Sequence, residues 1–293
     1  MCTMKKKFQM IGFALSVLLV TLPVVTVGAD NAASGKQKKE NTTESALGVK
    51  PVTGSWINLA YKDVRNKYTN PQSFDNMDPK LWEAKVRELS AMGIEYLVLM
   101  EVANEGKSYY PSQIMPWWYN KDKKSPVDAI LDEAAKHNMK IFMSSGWAKG
   151  SDDNLLDPAI KERQLRIMEE LASLYKNHKA FYGWYLPVED CLCPIFAEHA
   201  VQSVNTLSEK AKKLAPGKKT LISPYGIGLS EFDNPEYEKQ MQKLKVDIIA
   251  YQDEVGCVRD QFTLPRLKKN WQRLRDIHNR LNIEMWANCE TFT

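Results

Sequence analysis

The chain has 293 residues, 44% of them hydrophobic, and a formal net charge of +4. That hydrophobic share is enough to bury a substantial core, so a wholly disordered chain is excluded. Much of the positive surplus sits in Lys5–Lys7 and Lys36–Lys39, so the remainder is close to neutral and no basic stripe points to nucleic acid.

The first predicted element is a targeting segment over residues 1–29. Lys5, Lys6 and Lys7 precede an apolar stretch, Ile11 to Val27, that is interrupted by Pro23 and ends in Val27-Gly28-Ala29. A positive start, a short apolar run and small residues before a cut are the layout of a secretory signal peptide. Export to the periplasm or beyond is expected, with no membrane span after signal removal. Residues 30–50 (DNAASGKQKKENTTESALGVK) are polar and without apolar period, and read as a disordered linker. Residues 51–293 form the remaining domain.

Within that domain, apolar runs alternate with amphipathic stretches. The runs are 54–60 (GSWINLA), 95–103 (EYLVLMEVA), 140–148 (KIFMSSGWA), 181–190 (FYGWYLPVED), 219–226 (KTLISPYG), 246–256 (VDIIAYQDEVG) and 283–292 (IEMWANCETF). Between them lie helical patterns, three of which open on a cap followed by proline: Asp78-Pro79, Ser125-Pro126 and Asp157-Pro158. Further helices read from Ala197, Pro235 and Pro265. Strand-helix alternation means βαβ units and a parallel sheet. No Gly-x-Gly-x-x-Gly follows the first strand and no Walker-type loop occurs, so a doubly wound nucleotide fold loses to a (β/α)8-type TIM barrel. Only seven strands are evident, where such a barrel wants eight. Either the barrel closes with seven, or the chain is a truncated version of a longer one that lacks its C-terminal strand and helix. Truncation is favoured, because no helical pattern follows the last run.

Chemistry in such barrels sits at the C-terminal ends of the strands. Those ends carry Asn58 on strand 1, Glu101 and Asn104 on strand 2, Ser145 and Trp147 on strand 3, and Tyr185, Glu189 and Asp190 on strand 4. Strands 5 to 7 contribute Ser223 and Tyr225, then Tyr251, Gln252, Asp253 and Glu254, then Trp286, Asn288 and Glu290. Glu189 and Glu290 end strands 4 and 7, across the expected mouth from each other. Glycoside hydrolysis needs two facing carboxylates, one to protonate the leaving oxygen and one to attack or activate water. The plainer alternative is that each acid caps a helix or pairs with a loop arginine. Trp117 and Trp118, in a loop, together with Trp56, Trp147, Tyr225, Tyr251 and Trp286, offer rings that could stack on sugars, and Tyr185 is a further candidate substrate contact. Asn58, Asn288, Asp253 and Glu254 could hydrogen-bond the same ligand. Asp253 and Glu254 are rivals for the acid/base role, and adjacent strand residues point to opposite faces, so only one would reach the cleft.

Cys191, Cys193, Cys257 and Cys289 follow strands 4, 6 and 7. An oxidising compartment favours a disulfide such as Cys193 with Cys257 over a zinc site, since C-x-C without a second paired motif is weak. The four histidines fall on or beside helices, which argues against a His-based metal or triad site, and no G-x-S-x-G elbow is present. No metal and no cofactor are expected.

The segments GSWINLAYKDVRNKYTNP, SYYPS, SSGWAK, FYGWYLPVEDC, ISPYG, DIIAYQDEVGC and WANCETF together resemble the bacterial glycosidase-like barrel family known as domain-of-unknown-function family 4434, from Pro51 to Thr293. The resemblance implies a TIM barrel, secretion and action on carbohydrate. Family members generally continue into another strand and helix beyond the segment matching WANCETF. A looser similarity to clan A glycoside hydrolases implies an acid/base at Glu189 and a nucleophile at Glu290, although Val188 stands where that clan carries Asn. The expectation is thus a secreted glycoside hydrolase-like protein, its partner a glycan. The alternatives are a non-catalytic carbohydrate-binding barrel and a metal- or disulfide-dependent hydrolase using the cysteines.

Overall fold

A computed structural model describes residues 51–59, 78–104, 106–146, 155–190, 194–256 and 263–290. The expected signal peptide and linker lie outside them. The described chain forms β1 (Gly54–Ile57), α1 (Pro79–Ala91), β2 (Tyr96–Leu99), β3 (Ala103–Asn104), β4 (Lys107–Ser108), α2 (Pro126–Lys136), β5 (Lys140–Ser144) and α3 (Pro158–Tyr175). It continues as β6 (Phe181–Tyr185), α4 (Glu198–Leu214), β7 (Lys219–Ile222), α5 (Pro235–Lys243), β8 (Ile248–Gln252), α6 (Leu264–Leu281) and β9 (Glu284–Asn288). The seven predicted strands are β1, β2, β5, β6, β7, β8 and β9, all parallel and hydrogen-bonded in that order. Each is shorter than its apolar run, because pairing in the parallel ladder stops before described residues such as Asn58, Leu186 and Ser223. The ribbon β3–β4 was not expected; Ala103 pairs with Ser108 in it.

The helices start where their caps dictate. The side chains of Asp78, Ser125 and Asp157 each accept a first-turn backbone N–H, with proline following. Such a cap contributes about 1 kcal/mol, and proline there gives up no hydrogen bond.

Alternation along the strands separates two cores. Leu97 and Leu99, Ile141 and Met143, Trp184, Ile222 and Ile249 face the helix layer. Val98, Phe142, Tyr185, Leu221, Ile248 and Ala250 face inward, with Trp56, Tyr96, Tyr182 and Trp286 packed on them. Removing a side chain of this size from water contributes about 1.5–3 kcal/mol. The sheet is rolled rather than flat. Trp286 on β9 meets Tyr96 on β2 edge-on at 5.1 Å and Phe142 on β5 at 5.7 Å. Those strands are far apart in sheet order, so only curvature brings their rings together. This is the TIM-barrel architecture drawn in seven strands; among the described residues β1 and β9 remain the edges.

One glycine fixes how β5 and β6 meet. The register shifts between Ile141 and Phe142, leaving Tyr182 as an extra residue. A Cβ on Gly183 would lie 2.5 Å from the Lys219 carbonyl oxygen and 2.6 Å from the Phe142 ring. Only glycine permits that approach.

Candidate functional site at the strand ends

The loop after β6 explains how Glu189 reaches the mouth. Tyr185 is the last strand residue and faces inward. Leu186 still donates to the Leu221 carbonyl at 2.8 Å, and then Val188 N–H donates to the Leu186 carbonyl at 2.7 Å. That two-residue reach is a γ-turn around Pro187. It folds the chain back so that the Tyr185 hydroxyl donates to Glu189 Oε1 at 2.8 Å. Protein packed round the carboxyl pushes the Glu189 pKa up to about 7, against a smaller lowering by the tyrosine. Desolvation disfavours the ionised form, so Glu189 carries a proton for a sizeable share of the time near neutrality. Burial, and then the Glu189 charge, raise the Tyr185 hydroxyl well above its ordinary pKa, so it stays a donor.

Asp190, one residue on, accepts from the Tyr225 N–H at 3.3 Å, which ties the loop after β7 to the loop after β6. Its Oδ2 lies 2.7 Å from His199 Nε2 in the first turn of α4. A helical position argues in sequence against a role for His199 at the strand ends. Yet the first turn of a helix following a barrel strand lies at the same end as the strand's tip. The spacing of ten residues from Glu189 was the available signal.

The ends of β8 and β9 are strapped together. Asp253 N–H donates to the Asn288 carbonyl at 3.0 Å, and its Oδ1 accepts from Glu290 N–H at 3.0 Å and Val255 N–H at 3.2 Å. Asp253 therefore acts as a clamp that sets where Glu290 leaves β9. Asn288 Nδ2 donates to Ser223 Oγ at 3.1 Å, reaching across β8, and Gln252 Nε2 donates to the Ser223 carbonyl at 2.8 Å. Ser223 and Gln252 thus join the inward polar layer.

Glu254 is 9% exposed and has a left-handed backbone, φ 57°. Burial raises its pKa and the nearby Glu290 charge adds to this, while the backbone N–H groups of Gly226, Ile227 and Gly228 oppose it. The strain of a non-glycine residue there, about 1 kcal/mol, turns its carboxylate into the β7 loop. Glu254 and Glu290 therefore share one electrostatic neighbourhood. Glu101, at the tip of β2, is 2% exposed and sits 3.5 Å from Asn104 Nδ2.

Two aromatic expectations change. Tyr251 points away from the mouth: it is fully buried against the helix layer, with its hydroxyl 2.8 Å from His278 Nε2 on α6. Odd and even residues of β8 face opposite sides, and Gln252 takes the inward place. Trp286 does face inward, but one layer below Asn288, where it fills the barrel interior and donates to Glu284 at 2.7 Å. Trp117 and Trp118 sit half-buried in the loop after β4. Trp117 stacks on Tyr119 at 5.1 Å with Lys121 over its face, and Trp118 on Tyr109 at 6.2 Å with Lys107 over its face. Tyr225 is 38% exposed, and Asn58 is half-buried at the tip of β1. Trp147, Cys191, Cys193 and Cys257 lie outside the described residues. Cys289 is an exposed free thiol whose pKa is raised by partial desolvation and by Asp253, the opposite of an activated thiolate.

Residues 52–293 match the family model for the domain of unknown function DUF4434. The chain belongs to this family. Among solved structures, this DUF4434 chain is similar to a provisionally assigned alpha-L-fucosidase from Bacteroides thetaiotaomicron, with 19% identity, TM-score 0.62, and coverage of 86% of this chain and 79% of that one. It also matches an intracellular xylanase from Thermoanaerobacterium saccharolyticum at 16% identity and TM-score 0.42, covering 71% and 69%. A glycoside hydrolase family 5 protein from Bacteroides vulgatus matches at 12% identity and TM-score 0.47, covering 72% and 44%. The sequence matches no curated protein. At these identities the first likeness establishes the barrel fold, and no more than that. No helix among the described residues is long and apolar enough to cross a membrane.

Proposed function

We propose that this DUF4434 protein is an exported glycoside hydrolase that uses Glu189 as general acid and Glu290 as the second carboxylate. The observation that carries the reading is Glu189 itself. It is a desolvated glutamate at the tip of the fourth barrel strand, with a pKa of about 7 and a tyrosine hydroxyl on one oxygen. A group that ionises near the working pH can both hold and release a proton, which general acid catalysis requires. In the forward step Glu189 gives its proton to the glycosidic oxygen as the bond to the anomeric carbon breaks. Glu290 then supplies the electron pair, directly or through water. Asn288, Ser223 and Gln252 form a hydrogen-bonded wall beside it, and Tyr225, Trp117, Trp118, Trp147 and Asn58 are the proposed sugar contacts. Asp253 holds the Glu290 backbone, and Glu254 supplies charge nearby.

Glu189→Gln and Glu290→Gln should each lower hydrolysis of a responsive glycan by about 10²-fold or more, while leaving glycan affinity within a few-fold. Unchanged turnover in both variants sinks the assignment. A second reading, a carbohydrate-binding barrel without turnover, is favoured by Val188, which leaves no amide side chain before Glu189 to hold a sugar hydroxyl. It predicts glycan binding with no hydrolysis in the wild-type protein. Export is checked by finding the protein in the periplasmic or extracellular fraction, shortened near Asp30.

A further inference from the structure

A second concavity lies on the same end of the barrel, outside the mouth. The stretch after β7 (residues 223–234) and the first half of α6 border an open cleft of about 800 Å³, within the range of small-ligand sites. One side of this stretch belongs to the mouth: Tyr225 N–H donates to the Asp190 carbonyl, and Glu231 N–H to the Pro194 carbonyl. Its other side is fastened to α6 by buried Asn270, whose Nδ2 donates to the Ile227 carbonyl at 2.7 Å.

The cleft is lined by Arg266, Lys269 and Arg273 against Glu231 and Asp233. Arg273 is already paired with Asp233. Arg266 and Lys269 have no carboxylate partner among the described residues and stand exposed on successive turns of α6. They lie in the first two turns, where the helix dipole adds positive potential. The ring of Pro265 lines the same cleft beside them. Cations beside an apolar ring, in a cleft sharing a wall with the proposed carbohydrate mouth, are what a sugar bearing a negative group needs. Its ring face meets apolar atoms while the guanidinium takes the two oxygens of the anion.

We infer that this cleft is an anion subsite, and that the glycan recognised is acidic, bearing carboxylates or sulfate esters. The inference rests on the carbohydrate reading of the mouth and narrows it to a substrate class. Binding of trigalacturonic acid, of a sulfated galactotriose and of neutral galactotriose is measured by calorimetry at low and moderate salt. At least one acidic trisaccharide should bind about tenfold more tightly than the neutral one, with the preference shrinking as salt rises. The uronate and sulfate arms tell the two anion sources apart. Arg266→Ala/Lys269→Ala should erase the preference. Lys268→Ala/Arg275→Ala, with the same charge change on the same helix but outside the cleft, should keep it. All four residues are exposed, and unchanged thermal midpoints confirm folding. Equal affinity for acidic and neutral sugars, or a preference that survives in the cleft variant, overturns the inference. Neutral glycans cleaved in a Glu189-dependent way would overturn it while leaving the mouth's assignment intact; no glycan bound or cleaved would overturn both.

Discussion

At the residue scale, the central quantity is the proton on Glu189. Its pKa of about 7 predicts that kcat/KM falls as pH rises through that value, because the acid form is lost. A pH profile of wild type against Glu189→Asp tests it, since aspartate withdraws the carboxyl from Tyr185 and should move the alkaline limb. The same shift has a thermodynamic side. The folded-state pKa is raised above the unfolded value, so its contribution to folding is fully present below about pH 4.5, is lost as pH rises to about 7 and levels off above that. Glu189→Gln, which can still accept from Tyr185, should therefore raise stability at pH 8 by about 1–3 kcal/mol and change little at pH 4. Denaturant melts at the two pH values give the difference directly. His278 works in the other direction. Its Nδ1 faces the Ile283 carbonyl and so carries the proton, leaving Nε2 to accept from Tyr251. Burial lowers its pKa, so stability present above the unfolded value of about 6.5 drains away as pH falls below it. His278→Gln should flatten that part of the stability curve.

At the element scale, β8 and β9 depend on one aspartate. Asp253→Ala removes the acceptor for Glu290 and Val255 N–H groups, and should cost about 1–3 kcal/mol in a chemical melt. It should also lower turnover more than Glu254→Gln does, because it frees the Glu290 backbone. Gly183→Ala forces a methyl onto a carbonyl oxygen and a ring, and should cost about 1–3 kcal/mol or more. The strands and the proline-capped helices were legible because apolar runs and Asp-Pro or Ser-Pro pairs are local signals. Facing was harder. Tyr251 and Gln252 are adjacent, and which one looks inward depends on the pairing of β8 with β7 and β9, which no short window contains. Trp286 was correctly placed on β9 but at the wrong depth, since depth follows from barrel curvature. The Asp190–His199 pair was hidden because it joins a strand tip to the next helix.

At the scale of the whole molecule, the rolled seven-stranded sheet should show graded protection. β8 is buried along its length, whereas β1 is mostly half-buried and β9 alternates between half-buried and exposed. Amide exchange should be slowest in β2, β5, β6, β7 and β8, and faster in the two edge strands. Uniform protection across all seven would contradict this gradient. That gradient bears on the γ-turn after β6. Tyr185 and Glu189 sit four residues apart in one covalent segment of a central strand, so the proton donor is assembled by its own pentapeptide, YLPVE. Glu290 is instead held from β9, an edge of the sheet among the described residues, and by Asp253 from its neighbour. The two halves of the proposed chemistry therefore differ in robustness: heat or mild denaturant should silence the proposed turnover by loosening the β9 side while the acid on β6 stays poised, so any glycan binding should outlast any hydrolysis before the protein unfolds.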